Sequence, residues 1–218
     1  MNKVVLRSIS GIAYILLILA GLLINEYFFV GVFALITFFL LYELARITGR
    51  KWQILLPGLV YILASICILL MLGLRGESFD GILPLCFFIM IWSSDVGAFC
   101  IGSLFGQKSG SKKLAPTISP NKTWTGFWGG LLFCIAAALI LRAAGMMEFS
   151  LLHSIFLAIV VHCFGVLGDL LESAWKRSFG IKDSGNIIPG HGGFLDRFDS
   201  SLAAIPAAVL YLVIFGLL

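Results

Sequence analysis

Long runs of apolar residues, each close to the length that crosses a lipid bilayer, recur along the whole 218-residue chain. A helix needs about 20 mostly apolar residues to span the hydrocarbon core of a membrane. The seven predicted spans are Ile9–Ile24, Tyr27–Leu44, Ile54–Leu74, Ile82–Phe105, Trp124–Leu141, Leu151–Leu171 and Ser201–Leu218. The sequence therefore predicts an all-α polytopic membrane protein with about seven transmembrane helices.

Charged residues are too few to cover a water-exposed surface. They make up 12% of the chain, about half of the roughly 25% that is typical of soluble domains. The first apolar run is not followed by a small-residue cleavage site, so we expect it to stay as a span and not to be removed as a signal peptide. The 5 cysteines lie in apolar stretches without the spacing of a zinc or redox site, and we expect them to pack as small apolar side chains. Nothing in the composition indicates a nucleic-acid partner.

The positions of the basic residues predict an orientation. If seven spans alternate across the bilayer, all of the 15 Lys and Arg residues except Arg75 and Arg142 fall on one side. Because cytoplasmic loops are enriched in Lys and Arg, we expect a cytoplasmic N-terminus. The two long polar loops, Gly106–Thr123 and Glu172–Ser200, would then both face the cytoplasm. We expect one membrane domain, with N-terminal spans in residues 1–90 and a catalytic half in residues 91–218.

Two pairs of acidic residues border the last long loop. Asp169 and Glu172 are three residues apart, and so are Asp196 and Asp199, so each pair can share one helix face. If the loop folds back, all four carboxylates meet at the membrane surface. Carboxylate oxygens are ligands that suit Mg²⁺, and we predict a magnesium site here.

The same region allows a simpler interpretation, in which Asp196 and Asp199 form interfacial salt bridges with Arg197 or Lys176. Cations and glycines alternate between the two acidic pairs, which suits a phosphate-binding surface, although a positive-inside loop has a similar composition. His191 either anchors this loop or contacts a substrate. The candidate residues of this stretch are Lys176, Arg177, Lys182, Asp183, His191, Gly192 and Gly193.

The other long loop ends where a helix is predicted to begin, at Trp124. Ser119 or Asn121 can cap this helix, and the N-terminus of a helix favours an anion. With Lys122 and Thr123 they form a second predicted substrate-binding set. The alternative is an ordinary capped helix that carries an interfacial lysine.

Asp95 lies inside the fourth predicted span, close to Ser93, Ser94 and Gly97. The span is long and polar enough there to predict a break or a kink. An ionisable residue within a membrane span indicates a functional site, so Asp95 is a further candidate metal ligand. It could instead belong to a polar pin between helices formed through Ser93 or Ser94.

Three stretches of the sequence resemble the phosphatidate cytidylyltransferase (CDP-diacylglycerol synthase) family. The longest runs from Ser173 to Asp199 and reads SAWKRSFGIKDSGNIIPGHGGFLDRFD. Two shorter stretches begin at Leu114 and Asp95 and read LAPTISPNKTW and DVGAFCIG. Together they cover roughly the C-terminal half of the chain. The N-terminal spans are similar only at isolated positions, which are Arg7, Gly11 and Glu43.

The resemblance implies transfer of CMP from CTP to phosphatidic acid, with CDP-diacylglycerol and pyrophosphate as products. It implies a Mg²⁺ site with Asp169 and Asp196 as ligands, further acidic positions at Asp95, Glu172 and Asp199, and a second cation such as K⁺. It also implies a multi-pass protein of the cell inner (cytoplasmic) membrane, with its active site facing the cytoplasm and with a homodimer as a possible assembly.

The chemistry of such a transfer indicates what the remaining residues would do. The attacking phosphate is already an anion, so the difficulty is to bring two polyanions together and to stabilise the leaving pyrophosphate. A metal at Asp169 and Asp196 would neutralise the α-phosphate. Cationic side chains would spread the remaining charge, and these are Lys122, Lys176, Arg177 and Arg197.

The chain departs from the family pattern at several positions. Val96, Phe99 and Thr125 stand where a small hydroxyl residue, a tyrosine and a Glu or Gln are common. Family members are usually longer, and the shortfall lies between Glu43 and Asp95.

Two other functions use similar features. A CTP-dependent kinase acting on a polyprenol or phytol would transfer the γ-phosphate and release CDP. An ion or phosphate transporter could use Asp95 as a gate, but transporters usually show paired broken helices in repeated halves, and the sequence has no such repeat.

Overall fold

The computed structural model describes residues 3–49, 51–76, 78–106, 112–190 and 192–218. Within them the chain forms seven helices and one two-stranded hairpin. In chain order the elements are α1 (Lys3–Leu23), α2 (Glu26–Thr48), α3 (Trp52–Gly73), α4 (Ile82–Phe105), β1 (Lys113–Ala115), β2 (Ser119–Thr123), α5 (Trp124–Ala143), α6 (Leu151–Ser178) and α7 (Leu195–Ile214).

Each predicted span corresponds to one of these helices. The six helices α2 to α7 are long and apolar enough to cross a membrane, and α1 contributes a shorter apolar segment, Ser8–Leu23. The side chains of Asn25 and Ser150 accept hydrogen bonds from backbone N–H groups in the first turns of α2 and α6, as helix-capping residues do. The prediction of an all-α polytopic membrane protein is confirmed.

Two helix ends differ from the prediction in a way that matters for the site. Helix α6 continues beyond Leu171 to Ser178, and α7 begins at Leu195 instead of Ser201. The loop, which was predicted to run from Glu172 to Ser200, therefore comprises only residues 179–194. The polar residues at its two predicted ends belong to helices instead, because their side chains find partners within the helical structure. Helix α4 also runs without a break through Asp95, where an interruption had been expected.

A short antiparallel hairpin, which the sequence does not predict, precedes α5. Lys113 pairs with Thr123 and Ala115 pairs with Ser119. The hairpin leads directly into α5, since β2 ends at Thr123 and α5 begins at Trp124. It therefore places the predicted Ser119–Thr123 set at one end of the bundle.

Close contact between helices depends on small residues in α4 and α5. A Cβ atom on Gly97 would lie 2.8 Å from the carbonyl oxygen of Gly129, and one on Gly129 would lie 2.7 Å from Cγ1 of Ile101. Small residues allow such approach in membranes, where apolar side chains gain little by leaving lipid. Aromatic rings connect the other helices, with Phe88 of α4 packed against Phe33 of α2 and Phe198 of α7.

Candidate active site

The C-terminal turns of α6 carry the first group of predicted site residues. Asp169 and Glu172 are three residues apart, and Lys176 lies one turn beyond Glu172 on the same continuous helix. The Nζ atom of Lys176 is 3.3 Å from Oε1 of Glu172, and the two side chains are only 9% and 8% exposed. The helix therefore ends in a buried ion pair, which requires further compensating partners.

The first turns of α7 carry the second acidic pair. Because α7 begins at Leu195, Asp196 and Asp199 also lie on a helix. The two helices approach closely at Gly168 of α6, where a Cβ atom would be 2.5 Å from the carbonyl oxygen of Asp199 and 2.8 Å from Cβ of Ala203. The two acidic pairs consequently lie next to each other across the α6–α7 contact, and Asp199 interacts electrostatically with Asp169.

Hydrogen-bond donors surround the carboxylate of Asp196. Its Oδ1 accepts from Nζ of Lys176 at 2.5 Å, and its Oδ2 accepts from the backbone N–H groups of Ser184 and Gly193, each at 2.9 Å. The hydroxyl of Ser184 lies 3.0 Å from the same Oδ2 atom. The salt bridge that the sequence allowed as an alternative is therefore present for Asp196, with Lys176 as its partner.

A cavity of about 480 Å³ opens beside Asp169, between α4, α5 and α6. Apolar atoms form most of its surface, but about half of its lining residues have polar side chains, and we call it the polar cavity. Lys122 forms an ion pair with Asp169, and the hydroxyl of Ser173 donates to Oδ1 of Asp169 at 3.2 Å. Asp95 and Asn121 line the same cavity, and Asp95 interacts electrostatically with Asp169. A few convergent polar groups in an otherwise apolar cavity are typical of a small-molecule site.

Thr123 forms the cap of the helix that borders this cavity. Its Oγ1 accepts a hydrogen bond from the backbone N–H of Gly126 at 3.1 Å. The prediction that Ser119 or Asn121 caps α5 is wrong, because both belong to strand β2, which stays extended up to Thr123. The predicted position of Lys122 and Thr123 at a helix N-terminus is confirmed.

An apolar cavity of about 400 Å³ lies on the other side of α6, between that helix and α2, α3 and α7. Glu172 and Asp199 line it, together with apolar groups such as Tyr61 and Trp175. Neither carboxylate oxygen of Glu172 accepts a hydrogen bond from the residues that the structure describes. Buried polar groups are almost always hydrogen-bonded, and the carboxylate of Glu172 has the ion pair with Lys176 in place of such bonds.

The other predicted residues lie elsewhere. Lys182 and Asp183 line a third pocket at the surface, which also includes Arg46, and they do not line the polar cavity. Arg177 is exposed and donates to the carbonyl oxygen of Ile181 at 2.8 Å. The remaining positions are Arg197, which is exposed on the first turn of α7, Gly192, which has a φ of 86°, and His191, which falls outside the described residues.

Two features of the structure lie outside the set of predicted site residues. Ser94 and His162 form a buried contact of 2.8 Å between Oγ and Nδ1, which pins α4 to α6, so the polar pin expected near Asp95 involves Ser94. Glu43 of α2 is fully buried and contacts the loop before α7. A charged residue near the end of an apolar span was the available signal for Glu43, whereas its partner Ser184 carried none.

The fit of a divalent cation depends on the donors and on their arrangement. The five predicted ligands are carboxylates, the donor type that Mg²⁺ prefers, and the unsatisfied oxygens of Glu172 lie among them. Across the described part of the chain, no three potential metal ligands converge on one point, and lysines lie beside Asp169 and Asp196. The donor chemistry therefore fits a divalent cation, while lysines supply the positive charge in this conformation.

Comparison with known proteins places the chain in a family. Residues 51–215 match the cytidylyltransferase family. A phosphatidate cytidylyltransferase of Bacillus subtilis (strain 168) is 33% identical over 227 residues, which cover 99% of this chain and 83% of that protein. A phosphatidate cytidylyltransferase of Staphylococcus aureus (strain COL) is 47% identical over 130 residues, which cover 58% of this chain and 47% of the relative, so that match spans about half of its length. This chain belongs to the cytidylyltransferase family.

Proposed function

We propose that this chain transfers the CMP group of CTP to phosphatidic acid, forming CDP-diacylglycerol and pyrophosphate. The name shared by its relatives supports this activity. The observation that carries the proposal is the position of the acidic residues. Asp95 and Asp169 line the polar cavity on one side of α6, and Glu172 and Asp199 line the apolar cavity on the other.

The two cavities suit the two substrates. The polar cavity offers Lys122, Asn121 and the capped N-terminus of α5 to the charged nucleotide. The apolar cavity, lined by helices that span the membrane, offers a place for the acyl chains of the lipid. The phosphate of the lipid would then meet the α-phosphate of CTP at the acidic residues.

The reaction joins an oxygen of the lipid phosphate to the α-phosphorus and breaks the bond from that phosphorus to the pyrophosphate oxygen. The nucleophile needs no deprotonation, so the contribution of the protein is positioning and charge stabilisation. Lys122 and Lys176 form ion pairs with three of the acidic residues, Asp169, Glu172 and Asp196. Arg177 and Arg197, both exposed near the same end of the bundle, complete the proposed cationic set.

We propose that Mg²⁺ would be held by carboxylates from the set Asp95, Asp169, Glu172, Asp196 and Asp199, which do not converge on one point in this conformation of the described residues. When bound, the ion would neutralise phosphate charge and polarise the α-phosphate. A second cation such as K⁺ stays part of the proposal. In either case the protein must redistribute Lys122 and Lys176, which now contact Asp169 and Asp196, and the released ammonium groups can then face the phosphates.

The multi-pass architecture places the protein in a membrane. We propose the cell inner (cytoplasmic) membrane as its location, with the hairpin β1–β2 and loop 179–194 facing the cytoplasm, where CTP is available. The distribution of Lys and Arg supports this orientation. A homodimer stays a prediction from the resemblance.

The test is a product assay on the purified protein with CTP, phosphatidic acid and Mg²⁺. We expect pyrophosphate and CDP-diacylglycerol, and no product without phosphatidic acid. Release of CDP in place of pyrophosphate would establish a kinase, and ion flux into liposomes without turnover would establish a transporter, so either result would overturn the proposal.

Two substitutions connect the activity to the site. Asp169→Asn and Asp196→Asn should each lower kcat by about 100-fold or more, the scale reached when one charge-stabilising group is lost from an active site. Glu148→Gln, an exposed change in the α5–α6 connection, is the matched control and should keep wild-type activity. Wild-type turnover in a folded Asp196→Asn protein would remove Asp196 from the proposed metal site.

A further inference from the structure

Glu43, near the C-terminal end of α2, precedes the segment that matches the family, and its side chain is 0% exposed. It accepts hydrogen bonds from the backbone N–H of Phe194 at 3.1 Å, from the backbone N–H of Leu195 at 2.9 Å and from the hydroxyl of Ser184 at 3.0 Å. A carboxylate buried to this extent is tolerated only with such donors. All three donors lie more than 140 residues further along the chain.

Two of these donors are the backbone amides at the start of α7. The first N–H groups of a helix have no partner within the helix, and a negative charge is favourable at that end. Glu43 therefore supplies from α2 the cap that α7 lacks in its own sequence, since Phe194 provides no side-chain cap. The next residue along α7 is Asp196.

The third donor connects Glu43 with Asp196 directly. The hydroxyl of Ser184 is 3.0 Å from Oε2 of Glu43 and also 3.0 Å from Oδ2 of Asp196. Because a hydroxyl has one proton, it can donate to only one carboxylate at a time. The orientation of Asp196 is thereby coupled to the carboxylate of Glu43.

The surrounding loop is shaped to admit this carboxylate. A Cβ atom on Gly185 would lie 2.6 Å from Oε1 of Glu43, and one on Gly193 would collide with both Ser184 Oγ and the Glu43 carboxylate. The ring of Phe39, one helical turn before Glu43, stacks on Phe194 with centroids 4.9 Å apart and planes 11° apart. Loop 179–194 is thus held against α2 by both a polar and an aromatic contact.

We propose that Glu43 is a positioning residue for the transfer reaction. It holds the first turn of α7 and loop 179–194 so that Asp196 faces Lys176. This inference rests on the proposed function, because the consequence of misplacing Asp196 is measured through that reaction. It also means that the segment matching the family depends on α2 for a part of its active site.

The principal test measures kcat and KM for pyrophosphate release by the full-length protein. Glu43→Gln keeps the size of the side chain but replaces one carboxylate oxygen by an NH₂ group. This group cannot accept hydrogen bonds from the N–H and O–H donors that surround the side chain. We expect Glu43→Gln to lower kcat by about 10-fold to 100-fold, the range expected when a hydrogen bond to a charged group is lost, with KM for CTP within about threefold of wild type. Glu26→Gln, an exposed change at the other end of α2, is the matched control and should leave both constants unchanged.

A double-mutant cycle tests whether the effect passes through Ser184. Groups that act through one shared contact give non-additive losses. We expect Ser184→Ala to lower kcat less than Glu43→Gln does, and the double variant to lose no more than Glu43→Gln alone. If the fold loss of kcat in the double variant equals the product of the two single losses, the coupling to Asp196 is overturned. A kcat of Glu43→Gln within twofold of wild type would overturn the positioning role.

A measurement without turnover separates this inference from the proposed function. A spin label on Asn186→Cys, in a background without the native cysteines, reports on loop 179–194, because Asn186 is exposed in that loop. Glu43→Gln should increase the mobility of the label, and Glu26→Gln should not. An inactive wild type with this mobility change would overturn only the proposed activity, whereas an active wild type with unchanged label mobility in Glu43→Gln would overturn the role of Glu43.

Discussion

Lys176 is the residue on which the charge balance of the site depends. Its ammonium lies between Glu172 and Asp196, and the side chains of all three residues are between 8% and 11% exposed. A buried charge that loses its partner is costly, even where the intact pair adds little to stability. We therefore expect this lysine to stabilise the folded state, apart from any contact that it makes with phosphate.

Replacing Lys176 should reveal this structural contribution. In Lys176→Met two buried carboxylates lose their common cation, and we expect the free energy of unfolding to fall by about 3–5 kcal/mol. Thermal unfolding in detergent should show a Tm lower by about 10 °C for a chain of this length. Lys51→Met, which removes an exposed lysine before α3, is the control, and an equal Tm for the two variants would contradict the expectation.

The sequence could indicate which residue types form the site, but it could not indicate their partners. The spacing of Asp169, Glu172, Asp196 and Asp199 was sufficient to predict the acidic pairs. Whether Asp196 contacts a metal, a lysine or a loop amide depends on how the chain folds over residues 3 to 20 positions away. Glu43 shows this more clearly. The sequence reveals a charged residue within an apolar span, but it does not reveal which residues donate hydrogen bonds to it.

At the level of single elements, the α4–α5 pair determines the shape of the polar cavity. Asp95 and Ala98 of α4 line it together with Gly126 and Phe127 of α5. The two helices can approach because Gly97 and Gly129 have no side chains at the contact. A side chain added at Gly97 or Gly129 would push α4 and α5 apart and so change the shape of the cavity.

Gly129→Ala should therefore lower stability and weaken nucleotide binding together. Overpacking at a close contact typically costs about 1–3 kcal/mol, and we expect a lower Tm and a higher KM for CTP. Gly31→Ala is the matched control, because a Cβ atom on this helical glycine of α2 would meet nothing within 4 Å. Equal Tm and KM values in the two variants would show that the α4–α5 approach is not tight.

Hydropathy predicted where the helices lie better than where they end. The ends of the second to fifth spans were close to those observed, but α6 and α7 extend well into the polar segments assigned to a loop. The ion pair of Lys176 with Glu172, one turn apart, stabilises a polar helical turn. Hydropathy does not register such pairing, and the strands of the β1–β2 hairpin, three and five residues long, are too short to give a periodic signal.

At the scale of the whole molecule, the polar cavity, the acidic residues and loop 179–194 lie towards one end of the bundle. The α5–α6 connection, which carries Glu148, lies at the opposite end of both helices. With the N-terminus inside, the first end faces the cytoplasm. The charge distribution supports this orientation, and labelling can test it.

Single cysteines introduced into a cysteine-free background should report the two sides. A membrane-impermeant thiol reagent applied to intact cells should label Glu148→Cys. It should label Asn186→Cys only after the membrane is permeabilised, because both positions are exposed in the folded chain but face opposite compartments. The reverse pattern would invert the proposed topology.

Helix α6 separates the polar cavity from the apolar one, and this has a consequence for the product. CDP-diacylglycerol contains the nucleotide and both acyl chains in a single molecule, so under the proposed assignment of the cavities it would occupy both of them at once. Pyrophosphate could then diffuse into water, whereas the liponucleotide would have to draw its cytidine out past the end of α6 to reach the bilayer. On this proposal, release of the lipid product would depend on how readily the α6–α7 end of the bundle opens.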